Sequence, residues 1–528
     1  MELPVLIVGA GPTGLLLACQ LAIHKIPFRI IDKNKDHTTQ SRALVIQARS
    51  VEILDQMGIA EKAIRHGQIA RAGNAYINGK RMVRIPFIDI GKGLTKFPHI
   101  LMLEQSHTER ILEEFLQAHE YHVERRTELI RLSQNEERVS SVIRSNERNE
   151  ETIKSKYVVG ADGAHSIVRE QLKIPFGGKT YQQSLFVLDC KAEVDLPNDE
   201  MHLAFAGTSI GGLFPLTNGR WRILGTIPPE VAGKEEITFE DVATNFAQRV
   251  KMKVKLKDPH WISAYHSHHR YASTFQLGRC FLAGDAAHIH SPVGAQGMNT
   301  GLQDAYNLAW KLTLAMKGKA KATLLDTYTE ERIIIARNLV DTIDKVFNFL
   351  TSPNSLIKMF RSYLFPPGMQ LGGALFKHLK LVQQFAFTRV SELGVHYRES
   401  SLSKNASWGN FSSHAPHPGE RLPFAEYIDG SDNVTNIQDR MTEKFFCLFI
   451  FNDKIPDDIL SAILPYNEFI SVETIPFSEK TKTLYKRFGI RKTGCYLVRP
   501  DMYIGYRDVN INAQELLRHL TQNYFDKV

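Results

Sequence analysis

Hydrophobic and polar positions change period several times along the chain, and each change marks an element. Pro4 to Ile23 is a run of twenty residues without a charge, long enough in principle to cross a bilayer. Its glycines, Pro12, Thr13 and Gln20, and the lack of a basic stretch ahead of it, argue for a buried strand followed by a buried helix instead of a membrane span or secretory signal. Val5 to Val8 reads as the strand, Leu15 to Ala22 as the helix, and Phe28 to Ile31 as a second strand ending at Asp32. Two shorter apolar runs, Tyr157 to Gly160 and Cys280 to Ala283, have the same character. Residues 70–105 and 175–270 alternate apolar with polar positions around turns such as Thr217-Asn218-Gly219, which predicts a mixed sheet. Helical periodicity dominates 294–395, with a breaker at Phe365-Pro366-Pro367-Gly368. Residues 400–416 are rich in Ser, Asn and His and read as a linker. The module beyond has a buried strand at Phe445 to Phe451 and a C-terminal helix.

Composition adds limits. A chain of 528 residues suits about three domains, and its 43% hydrophobic and 23% charged residues are those of a globular protein. A formal charge of +8 over this length does not call for nucleic acid or another polyanion. The densest basic run, Lys251, Lys253, Lys255 and Lys257, alternates with apolar residues like a strand whose edge is guarded by lysines. The five cysteines, Cys19, Cys190, Cys280, Cys447 and Cys495, form no C-x-x-C pair, so a reducing, cytoplasmic setting is expected.

The chemistry sits in three glycine-containing segments. Gly9-Ala10-Gly11-Pro12-Thr13-Gly14 joins strand to helix: Gly9 permits the turn, Gly11 lets backbone approach a pyrophosphate, and Gly14 lets helix pack on strand. Asp32, at the end of the next strand, is placed to accept hydrogen bonds from an adenosine ribose. This βαβ unit predicts a dinucleotide site without separating NAD from FAD. The later segments are Gly160-Ala161-Asp162-Gly163 with Arg169, and Gly284-Asp285-Ala286-Ala287-His288 followed by Ser291 to Gly301.

Taken in order, these segments resemble the flavin-dependent aromatic hydroxylases, single-component class A monooxygenases related to para-hydroxybenzoate hydroxylase and phenol hydroxylase. Arg42, Gln105, and Leu325 to Tyr328 with Glu331-Arg332 share in the likeness, which covers residues 3–345 and extends more loosely to the C-terminus. The resemblance implies an α/β fold. A Rossmann-like FAD-binding domain (1–70, 106–175 and 271–345) would carry an inserted substrate-binding β-sheet domain (71–105 and 176–270), a helical segment (346–399), the linker, and a thioredoxin-like domain (417–528). It implies FAD held by Gly9, Gly11, Gly14, Asp32, Arg42, Gln105, Asp162, Gly284, Asp285, Gly297, Met298 and Asn299. Backbone at Pro292 and Gly294 would lie beside the flavin, with Pro215 in the pocket. Where the family usually has two glycines, this chain has Gly294-Ala295.

One dinucleotide fingerprint leaves no resident nicotinamide domain, so the resemblance implies NAD(P)H as a transient co-substrate. Reduced flavin would capture O2 as a hydroperoxide whose distal oxygen attacks an electron-rich phenolic or polyketide-like aromatic. The alternatives are a protein that sequesters FAD and an aromatic ligand without turnover, or an oxidase or halogenase on the same fold. The halogenase is disfavoured, because Arg220-Trp221-Arg222-Ile223 offers one tryptophan where W-x-W-x-I-P is expected. His165, His288 and the His266, His268, His269 group suggest no metal site, and Cys447 and Cys495 no redox exchange. A homodimer fits the C-terminal module.

Overall fold

The computed structural model describes residues 3–38, 43–145, 149–234, 236–290, 294–351, 354, 368, 372, 379–407, 410–441 and 445–526. Arg42, Pro292 and most of the Phe365 to Gly368 breaker lie outside them.

The apolar runs assemble into a parallel sheet in the spatial order Cys280–Leu282, Glu150–Gly160, Leu3–Val8, Phe28–Asp32, Val123–Arg125. Strands buried on both faces need apolar residues throughout, which is why Val5 to Val8 and Val158-Val159 show no alternation. Pro12–Ile23 is buried from Gly14 to Ala22 and packs against Gln105–Ala118 and Gly297–Met316. The uncharged opening run is thus core, and among the described residues no helix is long and apolar enough to cross a membrane.

The alternating segments form a second, eight-stranded sheet, mostly antiparallel, built on the long pair Phe176–Val194 and Val254–Ala272. Its extent departs from expectation at two places. Ile100–Met102, expected in this sheet, instead pairs with Val45–Ile46 and Gln68–Ala70 in a separate three-stranded sheet, while His288–Ile289 joins the large sheet at Arg270 and Tyr271. Of the lysine run, only Lys255 and Lys257 lie in a strand. Lys251 caps helix Phe246–Val250 in the left-handed region at φ 55°.

In the C-terminal module the strand order is Ile470–Thr474, Phe446–Phe451, Gly494–Val498, Ile504–Asp508, the first two parallel and the others antiparallel. With helices Asp457–Ile463, Lys482–Arg487 and Ala513–Asn523, that is a thioredoxin-like arrangement. Cys447 and Cys495 are buried thiols, the first pushed up to about 12 by burial. The expected linker is partly structure: Lys404–Asn405 adds a fifth strand beside Ile504–Asp508, and Leu402 is buried in the module's core. Its polar composition reflects edge pairing, which leaves much of a strand solvated.

Candidate active site

The three glycine segments meet at the carboxyl ends of adjacent parallel strands, where open α/β sheets bind ligands. The Ala161 N–H donates to the Val8 carbonyl at 2.8 Å and the Ala283 N–H to the Gly160 carbonyl at 2.9 Å, forming one ledge. Gly9 has φ +103°, and a Cβ there would stand 2.3 Å from the Ala161 oxygen. A Cβ on Gly14 would stand 2.0 Å from the Gly9 oxygen. Gly11 differs: it caps the helix at φ −75°, and a Cβ there would meet nothing within 4 Å. The chain therefore needs Gly9 and Gly14 in order to fold, whereas Gly11 keeps space clear at the positive end of helix Pro12–Ile23. That cradle fits a pyrophosphate. Asp32, 8% exposed, accepts the Ala10 N–H on Oδ2 and the Asn34 N–H on Oδ1, both at 2.7 Å, so it shapes the loop it borders.

The ledge's other segments are joined through small contacts. A Cβ on Gly284 or Gly301 would lie 2.6 or 2.4 Å from Thr13 Oγ1, which brings the first and third segments into touch. Asp285 is exposed in the 3-10 turn Gly284–Ala286. Asp162 accepts the Val168 N–H on Oδ2 at 3.2 Å, and burial pushes its carboxyl above the usual range. Arg169 ties the second segment to the third, donating to the Ala164 carbonyl at 2.8 Å and the Ala286 carbonyl at 2.9 Å.

Helix Gly297–Met316 begins at the same ledge. Gln296 gives it no side-chain cap, so the amides of Gly297, Met298 and Asn299 lack intrahelical acceptors. The Asn299 side chain is committed elsewhere: it accepts the Gln47 N–H at 2.8 Å and donates to the Val45 and Ala295 carbonyls. Gly294 has φ +131°, and Ala295 stands at φ +54°, a left-handed position that favours glycine. Gln105 accepts from the Ala43 N–H at 3.3 Å and donates to Glu109 at 2.9 Å. Opposite, Phe214 and Met201 of the large sheet pack with Phe87, Leu44, Leu216 and Ala295 in one apolar cluster, and Pro215 lines a neighbouring cleft with His66, Glu104 and His107. Arg222 joins sheet to loop, gripping Asp189 with two 2.8 Å bonds and donating to the Ala43 carbonyl at 3.0 Å.

Sequence reasoning missed the support behind the ledge. Asp304, fully buried, accepts the Gly284 N–H at 2.9 Å, His288 Nε2 at 2.8 Å and Arg332 Nε at 2.7 Å. Burial alone would raise its pKa; the Arg332 guanidinium and His288 more than offset that and hold it low. His288 is thereby a partner of Asp304, and among the described residues no group of ligands for a metal forms. Glu392 lies against Thr300 and Gln303 of the same helix, and burial pushes it up to about 8 against the pull of Arg332. A carboxyl raised above its unfolded value stabilises the fold while protonated. Stability should therefore fall between about pH 5 and 8 by up to about 1.4 kcal/mol per unit. Urea midpoints measured across that range test this: Glu392→Gln should flatten the slope, and an unchanged slope would refute the assignment.

The sequence matches the family model described as FAD binding domain over residues 2–343. It is 30% identical over 515 residues to the 6-methylpretetramide 4-monooxygenase of Streptomyces rimosus, covering 95% of this chain and 90% of that one. It is also 30% identical to the pentachlorophenol 4-monooxygenase of Sphingobium chlorophenolicum, over 80% of this chain and 76% of that one. The fold superposes on aklavinone-11 hydroxylase in a ternary complex with FAD and aklavinone with a TM-score of 0.80, at 22% identity and 98% coverage of both chains.

Proposed function

The chain belongs to the FAD-dependent aromatic hydroxylases, and from that premise we propose that it uses NAD(P)H and O2 to hydroxylate a phenolic or polyketide-like aromatic. The observation that carries the substrate class is the apolar cluster of Leu44, Phe87, Met201, Phe214 and Ala295, the last of them two residues ahead of helix Gly297–Met316. An aromatic ring suits such walls. In this reading Gly11 and the first turn of Pro12–Ile23 receive the pyrophosphate, while Asp32 accepts from the adenosine ribose. Asp285, exposed on the ledge, accepts from the ribityl chain, with Gln105 and Asp162 bordering it and Gly9, Gly14 and Gly284 shaping the backbone. The amides of Gly297, Met298 and Asn299, with backbone at Gly294, face the pyrimidine edge, where aligned donors favour negative charge; Pro292 is assigned there by resemblance alone. Arg42 is assigned to the phosphates by resemblance alone. When bound, FAD supplies O2 activation and oxygen transfer; the large sheet orients the ring and keeps water away. Five buried thiols suit a cytoplasmic setting.

Turnover under oxygen-18 gas tests the reaction. With a true substrate, found by screening phenols, quinones and polycyclic aromatics for stimulated NAD(P)H oxidation, the product should gain one labelled atom. Label arriving only from water, or peroxide release with no oxygenated product, would replace this reading with an oxidase. Binding of the aromatic without NAD(P)H consumption would replace it with a sequestering protein.

A further inference from the structure

The C-terminal module packs on the FAD-binding layer through an apolar seam around Trp310, Phe446 and Tyr524 and through one buried polar turn. Arg499 is fully buried and grips two carboxylates: Glu331 at 2.5 and 3.0 Å, and Asp501 at 3.0 and 2.5 Å. Glu331 also accepts Lys311 Nζ at 2.8 Å, Asn307 Nδ2 at 2.7 Å and the Ser400 hydroxyl at 2.8 Å. Asp501 Oδ2 accepts Trp310 Nε1 at 3.1 Å, and the Pro500 carbonyl accepts the Tyr306 hydroxyl at 3.1 Å. Tyr306, Asn307, Trp310 and Lys311 all belong to helix Gly297–Met316. A second grip runs from Arg49 to the Asp501 carbonyl at 2.7 Å, two residues along from Gln47, whose N–H is held by Asn299 at that helix's first turn. Arg332, the neighbour of Glu331, holds Asp304 and through it the Gly284 amide.

Charges buried this deeply cost desolvation that well-packed apolar residues would avoid, so the cluster contributes little as a stabiliser for its own sake. What it does provide is a rigid register, because bidentate guanidinium–carboxylate pairs fix orientation as well as distance. We propose that the turn Arg499-Pro500-Asp501 is a positioning device for the FAD site, by which the thioredoxin-like module sets the axial and rotational placement of helix Gly297–Met316 and the ledge at Gly284. In this proposal the turn acts through the helix, by the bonds that its Pro500 carbonyl and Asp501 carboxylate make to Tyr306, Asn307 and Trp310. The proposal rests on the reading that this helix's first turn faces the flavin.

The test is FAD affinity of the full chain, followed by flavin fluorescence well below each variant's melting temperature, with the midpoint potential of the bound flavin as a second readout. Asp501→Asn, which preserves shape, should raise the FAD Kd by about tenfold, the factor that 1.4 kcal/mol produces, and shift the potential downward as the amides move off the reduced ring. Arg499→Met should do more and Arg499→Lys less, since lysine keeps the charge without the fork. Should Arg499→Met fail to fold, Tyr306→Phe carries the test, with a severalfold rise expected. FAD Kd values within twofold of the parent, whatever the melting temperatures do, overturn the proposal and leave the cluster as packing between modules. A parent chain that binds no FAD would instead sink the reading of the site beneath it.

Discussion

A Gly11→Val chain is expected to fold normally and to emerge without FAD. The cap position at Gly11 has an ordinary negative φ, and a side chain there meets no protein atom within 4 Å, so the fold has no reason to object. The cofactor does. A branched side chain would fill the space where backbone approaches the pyrophosphate and cover the helix's first amides. Flavin absorbance per chain should fall to background while circular dichroism and the melting temperature of the FAD-free protein stay at parental values. Gly9→Ala and Gly14→Ala make the contrast, because each drives a Cβ to within 2.3 Å of backbone and should damage the fold itself. Parental FAD content in folded Gly11→Val would show that the phosphates lie elsewhere.

The largest loss of stability is expected from Asp304→Ala. The substitution strands a fully buried guanidinium at Arg332 and leaves the His288 ring and the Gly284 amide without their shared acceptor. Removing one partner of a buried ion pair typically costs about 3–5 kcal/mol, measured here as a drop in the urea midpoint at constant slope. Asp304→Asn keeps an acceptor but loses the charge, so it should fall between parent and alanine. A cost below about 1 kcal/mol, the range of exposed pairs, would mean that water or a rearranged Arg332 takes over the role.

Much of the site's framework is legible in the chain because its signals are local. Val5 to Asp32 declares a strand, a turn, a helix and a second strand within one stretch, and the later Gly160-Ala161-Asp162 and Gly284-Asp285 segments each follow their own short apolar strand. What escapes is long-range or short. Val45–Ile46, Gln68–Ala70 and Ile100–Met102 are two or three residues each and pair across loops, so no periodicity accumulates. Asp304 and Lys311 lie in a helix buried on nearly every side, where a lone charge reads as the solvated face of an amphipathic helix until its partners are known. A charge set amid apolar residues all round a helix was the available signal, together with Glu331-Arg332 and Arg499-Pro500-Asp501, which the sequence displays without saying that they meet. Lys404–Asn405 was hidden by composition, since an edge strand of polar residues looks like a tether.

The strand order has a consequence for biosynthesis. Leu3–Val8 finds one neighbour at once in Phe28–Asp32, but its other neighbour ends at Gly160, and the strand beyond that, Cys280–Leu282, emerges later still. Thr13 waits for Gly284 and Gly301, and helix Gly297–Met316 waits for Arg499. A ribosome adding about 5–20 residues per second therefore exposes an unfinished apolar layer for tens of seconds before the cofactor has anywhere to sit. Nascent chains stopped short of Gly301 should be chaperone clients with no affinity for flavin.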